Sequence, residues 1–203
     1  AGVAIVPQGG NTGLVMGSIP TEIRPTIVLS LERMNRVRKM NADNFSVVAE
    51  AGCVIQNMQA AARDVDRLFP LSLASEGSST VGGTLSTNAG GNQTIRFGNA
   101  REQVLGLEVV LADGTVLDDL NTLRKNNTGY DLKQMFIGAE GTLGIITAAA
   151  FRLMPGVKVM ETAMLAVPSP TAAGKLLALA REVSGDQVLA FEIMPRESIQ
   201  MAL

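Results

Sequence analysis

The sequence predicts an α+β fold, and three observations lead to it. Apolar runs of strand type alternate with amphipathic helical patterns along the chain. Some strands are joined by a tight turn, as at Asp113-Gly114, and others by a helix, which fits α+β better than a doubly wound parallel sheet. Glycine is concentrated in three windows, 9–17, 77–98 and 138–144, which hold 13 of the 21 glycines. Such clustering is typical of backbone that needs positive φ or lies close to a ligand.

The individual elements follow from the local patterns. In chain order, apolar runs predict strands at 5–6, 26–29, 46–49, 104–111, 115–117 and 143–153. The runs on either side of Asp113-Gly114 form a hairpin, because this dipeptide supplies a turn whose twist matches the strands. A helix is expected over 55–68, where the apolar residues recur at helical spacing: Ile55, Met58, Ala61, Ala62, Val65 and Leu68.

A domain boundary is expected at Met154-Pro155-Gly156, because proline and glycine together end the preceding strand. We therefore expect one domain over 1–154 and the beginning of a second over 155–203. The patterns in the second part predict a strand at 160–167, a helix at 171–183, a strand at 187–194 and a further helix opening at Pro195. The chain begins inside an apolar run without an initiator methionine, so we expect a fragment of a longer protein.

The composition excludes several classes of function. Seventeen Lys and Arg against 19 Asp and Glu give a net charge of −2 over 203 residues, so the basic field that binds nucleic acid is missing. The absence of histidine excludes a Ser-His-Asp site and an imidazole-ligated metal within this chain. The one cysteine, Cys53, excludes an internal disulfide and is expected to be a packed thiol. We expect no metal site, and no apolar run long enough to span a membrane.

The three glycine windows are the candidate ligand-binding segments. The first, at 7–14, follows a strand, so its backbone N–H groups can converge on an anion such as pyrophosphate; a surface loop is the alternative. The second, at 75–91, contains hydroxyl residues, Gly82-Gly83 and apolar residues at helical spacing, which favours a packed helix over a flexible linker. The third, at 136–147, runs from a glycine-dense turn into a buried strand, and a steric turn explains it equally well when it is taken alone.

In this order and spacing the segments resemble a known family. The stretches 9–14, 82–91, 104–114, 124–132 and 136–147 are similar to the FAD-binding domain of the vanillyl-alcohol oxidase (PCMH) type. Within it they resemble the D-2-hydroxyacid dehydrogenase branch, which contains D-2-hydroxyglutarate dehydrogenase, D-lactate dehydrogenase and the flavin subunit of glycolate oxidase. The first of these looks most similar. The resemblance implies two α+β subdomains up to about residue 154, followed by the start of a ferredoxin-like cap domain.

The resemblance also implies which residues bind FAD. The first loop would hold the pyrophosphate, the second window would line the phosphates and the flavin edge, and the third would face the adenine–ribose half. Tyr130 and Glu140 are similar to structural members of that wall. The cofactor-binding residues implied by the resemblance are Pro7, Gly9, Gly10, Asn11, Thr12, Gly13, Leu14, Gly77, Ser78, Thr80, Val81, Gly82, Gly83, Asn88, Gly90, Gly91, Gly141, Gly144, Ile145 and Ile146.

The chemistry implied by the resemblance is oxidation of a D-2-hydroxy acid by hydride transfer to flavin N5. FAD is expected to be bound without a covalent link, because the chain has no histidine and Cys53 lies outside the matching loops. No catalytic residue is assigned to this chain, which by itself is expected to be inactive. We further expect a separate electron acceptor, a homodimer and a cytoplasmic location. A non-catalytic flavin- or nucleotide-binding module and an oxidase of the same fold acting on another alcohol remain the alternatives.

The glycine pair also supports a mutational expectation. A side chain at Gly82 or Gly83 is expected to fill the path by which a ligand approaches the backbone, so replacement of either residue by valine should abolish FAD retention.

Overall fold

The computed structural model describes residues 2–21 and 24–202, and it shows the expected mixture of helices and strands. The strands are β1 (Ala4–Gln8), β2 (Thr26–Ser30), β3 (Val37–Asn41), β4 (Ser46–Glu50), β5 (Arg67–Leu68), β6 (Val104–Val110), β7 (Val116–Asp119), β8 (Ile145–Arg152) and β9 (Met154–Pro155). The helices are α1 (Ile55–Arg63), α2 (Val81–Ser86), α3 (Thr94–Phe97), α4 (Ala100–Gln103), α5 (Lys133–Phe136), α6 (Pro170–Ser184) and α7 (Arg196–Ala202). The α+β prediction is confirmed.

A five-stranded antiparallel sheet with the order β3-β4-β8-β6-β7 forms the centre of the molecule. A separate parallel pair, β1 and β2, lies beside it and carries the first glycine loop at its end. Strands that are distant in sequence therefore become neighbours in the sheet. This arrangement brings the three glycine windows to one side of the molecule.

The central strands are buried because their residues are small or β-branched. All five residues of β4 and six of the eight in β8 are buried. The three alanines at 148–150 keep the middle of the sheet thin, so helices and loops can pack closely on it. Phe69 and Phe151 meet edge to face with their ring centroids 5.2 Å apart, which is a favourable aromatic geometry.

The predicted hairpin between β6 and β7 is confirmed. Gly114 has φ of +87°, and its N–H donates to the carbonyl of Leu111 at 2.9 Å. The carboxylate of Asp113 accepts a hydrogen bond from the N–H of Thr115. The aspartate thus fixes the turn from inside, and the glycine adopts the conformation that other residues avoid.

Two local predictions differ from the structure. The first helix ends at Arg63 instead of residue 68, since Asp66 takes φ of +54° and the next two residues pair with Met154–Pro155. The sequence also missed β3, whose charged side chains hide its strand character; it forms because β4 offers a free edge for pairing. Met154–Pro155, at the proposed domain boundary, form the short strand β9 that pairs with β5. The division at residue 154 stays a prediction, in keeping with a core cluster that extends no further than Leu153.

Beyond Gly156 the helices are confirmed and the strands are wrong. Helix α6 begins with Ser169, whose hydroxyl accepts from the N–H of Ala172, and ends at Gly185 with φ of +62°. Helix α7 follows Pro195 as expected. The segments 160–167 and 187–194 form no strand, because none of the described residues pairs with their backbone. A ferredoxin-like cap stays a prediction.

Among the residues that the structure describes, no helix has both the length and the apolar character needed to cross a bilayer.

Candidate cofactor site

A cavity of about 260 Å³ lies where the three glycine windows meet. Its walls come from the loop after β1, from the start of α2 with the segment before it, and from the turn that leads into β8. The structure thus brings together segments that the sequence singled out separately. Twelve of the predicted residues line this cavity: Pro7, Gly9, Gly10, Asn11, Thr12, Gly13, Thr80, Gly82, Gly83, Gly141, Ile145 and Ile146.

The first loop lies directly on the second window. A β-carbon at Gly10 would come within 1.8 Å of the carbonyl oxygen of Ser78, and one at Gly9 within 2.3 Å of the Thr80 hydroxyl. The hydroxyls of Thr12 and Ser79 form a hydrogen bond of 3.0 Å between the two segments. Glycine is required at Gly10 because the two backbones approach too closely for a side chain, whereas at Gly9 a side chain would displace the Thr80 hydroxyl.

The rest of the first loop is held by side chains of its own. The amide of Gln8 donates to the carbonyl of Ser18 at 2.9 Å, and the hydroxyl of Ser18 donates to the side-chain oxygen of Asn11 at 2.7 Å. Asn11 and Met16 both have positive φ, at +51° and +59°. These bonds close the loop and fix its backbone against the cavity.

The second window enters helix α2 through close contact with the sheet. The N–H of Gly82 donates to the carbonyl of Ala51 at 2.7 Å, and a β-carbon at Gly82 would lie 2.8 Å from that of Ala51. At Gly83 the nearest atom to a β-carbon would be the Thr80 hydroxyl, at 3.3 Å. The reason given above for the Gly82 substitution is therefore wrong. A side chain at Gly82 would collide with the sheet, whereas one at Gly83 would lie beside the unpaired Thr80 hydroxyl of the cavity wall.

Thr80 presents an unsatisfied hydroxyl at this place. The residue is buried, and its Oγ1 atom has no hydrogen-bond partner in the structure. A buried polar atom without a partner costs about 1–3 kcal/mol. Because Thr80 lines the cavity, a ligand with an oxygen acceptor would supply the missing partner.

The third window forms the opposite wall. Gly138 and Gly141 adopt φ of +81° and +76°, which glycine takes without strain, whereas Glu140 at +52° needs support from its surroundings. The N–H of Gly138 donates to the carbonyl of Leu85, and that of Glu140 to the carbonyl of Ser86, both at 2.9 Å. These bonds attach the turn to helix α2.

The cavity is nearly free of ionisable side chains. Of the described residues that line it, only Glu140 is ionisable, and none is a lysine or an arginine. The strongest ionic cluster lies outside the cavity, across strands β3, β4 and β6. There the Glu50 carboxylate accepts from Arg36 at 2.9 Å and from Arg38 at 3.2 Å. The hydrogen bond from the Arg36 side chain is the main cause that holds the pKa of Glu50 at about 2.

Comparison with known proteins agrees with this geometry. The family described as "FAD binding domain" matches residues 1–119. The chain belongs to this family. Its cofactor is therefore FAD, which confirms the prediction from the sequence.

The similar proteins extend beyond the matched region of the FAD-binding domain. A probable mitochondrial D-2-hydroxyglutarate dehydrogenase of Oryza sativa subsp. indica is 46% identical over 99% of this chain and 36% of its own length. The mitochondrial D-2-hydroxyglutarate dehydrogenase of Rattus norvegicus is 44% identical over 98% of this chain and 37% of its own length. The chain thus spans a little over one third of these two relatives.

Two further proteins widen the comparison. A D-2-hydroxyglutarate–pyruvate transhydrogenase of Saccharomyces cerevisiae is 41% identical over 99% of this chain and 40% of its own length. A solved structure of alkyldihydroxyacetonephosphate synthase superposes with a TM-score of 0.68 at 25% identity, over 77% of this chain and 28% of that one. The fold of this domain therefore also occurs in a protein with a different name.

Eight predicted residues do not line the cavity of the FAD-binding domain: Leu14, Gly77, Ser78, Val81, Asn88, Gly90, Gly91 and Gly144. Several are glycines or small residues for reasons of packing. A β-carbon at Gly91 would come within 2.1 Å of the carbonyl oxygen of Ser72, and one at Gly144 within 2.6 Å of Val109. The side chain of Leu14 is almost fully exposed. A direct FAD contact at these positions stays a prediction.

Glu140, which the resemblance implied as a structural member of the wall, lines the cavity. The other residues of the cavity wall were not predicted as cofactor contacts: Val15, Gly17, Ser18, Leu31, Leu73, Ser75, Ser79, Thr84, Ser86, Thr87 and Ala89. The run of hydroxyl residues around Ser79 could have indicated the cavity wall from sequence, since Ser75 and Ser79 hydrogen-bond each other at 2.7 Å beside the first loop. Leu31 and Leu73 could not have been found in this way, because single leucines outside the glycine windows resemble ordinary core residues. Tyr130 is 93% exposed and does not line the cavity.

Proposed function

We propose that this chain is the cofactor-binding part of an FAD-dependent dehydrogenase that oxidises a D-2-hydroxy acid of the D-2-hydroxyglutarate or D-lactate type. The names of the similar proteins support the substrate class, and the family supports the cofactor. The observation that carries the proposal is the buried, unpartnered hydroxyl of Thr80 in a cavity built from three glycine segments.

The residues present fit FAD. Gly9, Gly10 and Gly83 line the cavity, and backbone N–H groups in such glycine-rich loops can bind phosphate oxygens where no cation is available. The Thr80 hydroxyl adds a donor on the same wall. Ile145 and Ile146 supply an apolar surface for a ring system. We propose that the predicted residues that line the cavity make the direct contacts with the cofactor.

The chemistry divides between cofactor and protein. When bound, FAD supplies at flavin N5 the acceptor for the hydride that leaves C2 of the substrate. The residues of this chain hold the cofactor, orient it and exclude water from its inner side. We assign no catalytic base to this chain. The only ionisable group that lines the cavity among the described residues is Glu140, whose side chain is exposed.

Non-covalent attachment is part of the proposal. Covalent flavin links use side chains such as histidine or cysteine, and the chain has no histidine. Cys53 is buried and does not line the cavity, and burial raises the pKa of its thiol, so that a reactive thiolate is disfavoured. Acid precipitation of the purified protein should therefore release all of its FAD into the supernatant. Yellow colour retained in the pellet would contradict this.

We also propose that the electrons leave to a separate acceptor. The transhydrogenase of Saccharomyces cerevisiae supports this, since its name contains pyruvate as a second reactant. The homodimer stays a prediction, which light scattering on the purified protein would test. The cytoplasmic location also stays a prediction; several of the similar proteins are named mitochondrial, so cell fractionation should score both compartments.

The main test uses the protein at its natural length, purified with FAD. We expect reduction of an artificial dye by D-2-hydroxyglutarate or D-lactate, and none by the L enantiomers. A protein that binds FAD and oxidises neither acid would favour the non-catalytic module. Rapid reaction with oxygen and another alcohol would favour an oxidase of the same fold. A protein that takes up no FAD would overturn the proposal entirely.

A further inference from the structure

Arg101 lies outside the cavity, yet it connects two of the cavity walls. It is half-buried on helix α4 and does not line the cavity. Its Nη1 atom donates to the backbone carbonyl of Gln134 at 2.9 Å and to the side-chain oxygen of the same residue at 2.7 Å. Its Nη2 atom donates to the carbonyl of Ile137 at 2.5 Å. The guanidinium thus binds Gln134 of α5 and Ile137, the residue just before the turn at 138–141.

The backbone of Arg101 binds the second window. Its N–H donates to the side-chain oxygen of Asn88 at 3.0 Å. Asn88 has φ of +48° and follows the end of α2, whose glycines line the cavity. One residue therefore holds both segments that meet across the cavity.

The third window needs such support. Glu140 takes a positive φ that residues other than glycine rarely adopt, and a short helix such as α5 leaves its last carbonyls without partners inside the helix. Arginine suits this place, because its planar fork can serve several carbonyls at once and its charge is favourable at a helix C-terminus. A β-carbon at Gly138 would lie 3.3 Å from the Nη2 atom, so the guanidinium also lies against the start of the turn.

The charge of Arg101 is directed to the backbone instead of a carboxylate. None of the salt bridges within the described part of the chain includes it. Its contacts are two carbonyls and one amide, all in α5 or directly after it. An arginine used only for solubility or for surface pairing would not need this arrangement.

We propose that Arg101 is a positioning residue for FAD binding. It sets the distance between the turn at 138–141 and helix α2, and so the width of the cavity, without touching the cofactor. This inference rests on the proposed assignment of the cavity to FAD. It adds a residue that neither the glycine windows nor the cavity lining indicates.

The test compares Arg101→Met, Arg101→Lys and a control, Arg96→Met, in the protein at its natural length. Arg96 is an arginine on the neighbouring helix α3; its guanidinium stacks on Phe97 and contacts Gln187, and none of these residues lines the cavity. FAD affinity is measured by titration of the apoprotein, well below its unfolding temperature. The visible circular dichroism of the bound flavin and the thermal unfolding of the apoprotein are recorded in parallel.

We expect Arg101→Met to weaken FAD binding by about tenfold to a hundredfold, because it removes hydrogen bonds made by a charged donor. The dichroism of any bound flavin should change as well, which a purely structural role would not cause. Arg101→Lys should restore part of the affinity, and Arg96→Met should leave it unchanged. If Arg101→Met fails to fold, the lysine variant decides by the same two readouts.

Two results would overturn the inference in different ways. Normal FAD affinity and dichroism in the Arg101 variants, beside a wild type that binds FAD, would overturn the role of Arg101 alone. A wild-type protein that takes up no FAD would overturn the proposed function, and the positioning role with it.

Discussion

The residues up to Leu153 and those beyond Gly156 carry similar apolar patterns but use them differently. In the first region the pattern produces buried strands: Val47 and Phe151 lie in the core, and their strands pair with each other. In the second, comparable residues such as Val159 and Met164 are 76% and 77% exposed on segments that form no strand. An apolar alternating pattern therefore predicts the capacity to form a strand, while a strand exists only where a neighbour supplies its hydrogen bonds.

The largest effect on the free energy of unfolding should come from shortening a core side chain, because the same kind of change should have little effect beyond Gly156. Phe151→Ala is expected to lower the free energy of unfolding by about 3–5 kcal/mol, because it leaves a cavity beside Phe69. The matched change beyond the boundary, Leu165→Ala, should alter it by less than about 0.5 kcal/mol, since that side chain is already exposed. Urea unfolding of both variants measures the difference. Equal losses would show that residue 165 is packed as firmly as the core.

The next largest effect is expected on FAD affinity, from a substitution where the first glycine window contacts the second. Gly10→Ala would place a β-carbon 1.8 Å from the carbonyl oxygen of Ser78. The loop must move, which costs about 3 kcal/mol or about a hundredfold in FAD affinity. Gly174→Ala is the control, because nothing lies within 4 Å of a β-carbon there, its φ is not positive and it does not line the cavity. FAD titration of the two apoproteins should separate them; equal affinities would mean that the first loop does not shape the site.

A smaller effect on the free energy of unfolding is expected from ion pairs. The first region has a pair with a buried carboxylate, Glu50–Arg36, and the second has an exposed pair, Asp186–Arg181. The Glu50 side chain is 3% exposed, and its pKa of about 2 lies below the ordinary value of 4.5. A carboxyl whose pKa is lowered on folding stabilises the protein above pH 4.5, and this stabilisation is lost as the pH falls towards 2. Because Arg36 is largely exposed, solvent screening reduces the contribution of this pair below that of a fully buried one.

The experiment compares Glu50→Gln with Asp186→Asn, which removes the exposed pair with Arg181. Urea unfolding at pH 7 should show a clear loss for the first variant and little change for the second. The wild type should approach the stability of Glu50→Gln as the pH is lowered below 4.5. Parallel pH profiles for wild type and Glu50→Gln would contradict the role of this carboxylate.

The smallest expected effect is that of salt concentration on FAD affinity. No lysine or arginine is found among the described residues that line the cavity, so FAD phosphates would be held by backbone donors and hydroxyls. Affinity should change by less than about twofold between low and high salt, because screening acts mainly on exposed charge pairs. Thr87→Lys places a cation at the exposed side of the cavity and should introduce a salt dependence. A steep dependence in the wild type would indicate cationic contacts elsewhere.

The sequence predicted the fold best where the decisive interaction is local. The Asp113-Gly114 turn and the serine-capped helix α6 depend on residues within a few positions, and both are confirmed. Strand β3 was missed because its arginine and lysine residues conceal a pairing that β4 decides. The first helix stops early for the same reason, since residues 67–68 pair with a strand about ninety positions away.

The candidate site shows the same division. Sequence pattern located the three glycine windows, because positive φ and close approach leave a compositional trace. It could not separate Gly83, where a side chain would lie beside the Thr80 hydroxyl of the cavity wall, from Gly82, where it would collide with Ala51 of the sheet, because either contact can explain a glycine. Nor could it find Arg101, whose partners at 88, 134 and 137 become neighbours only in the folded chain.

The distribution of the cavity walls along the chain sets the time at which FAD can enter. Residues near 10, 83 and 141 converge only after the long intervening loops have closed and the central sheet has assembled. An unfolded chain therefore lacks the pocket that these walls form together. Flavin that binds only the folded protein stabilises it against unfolding by mass action.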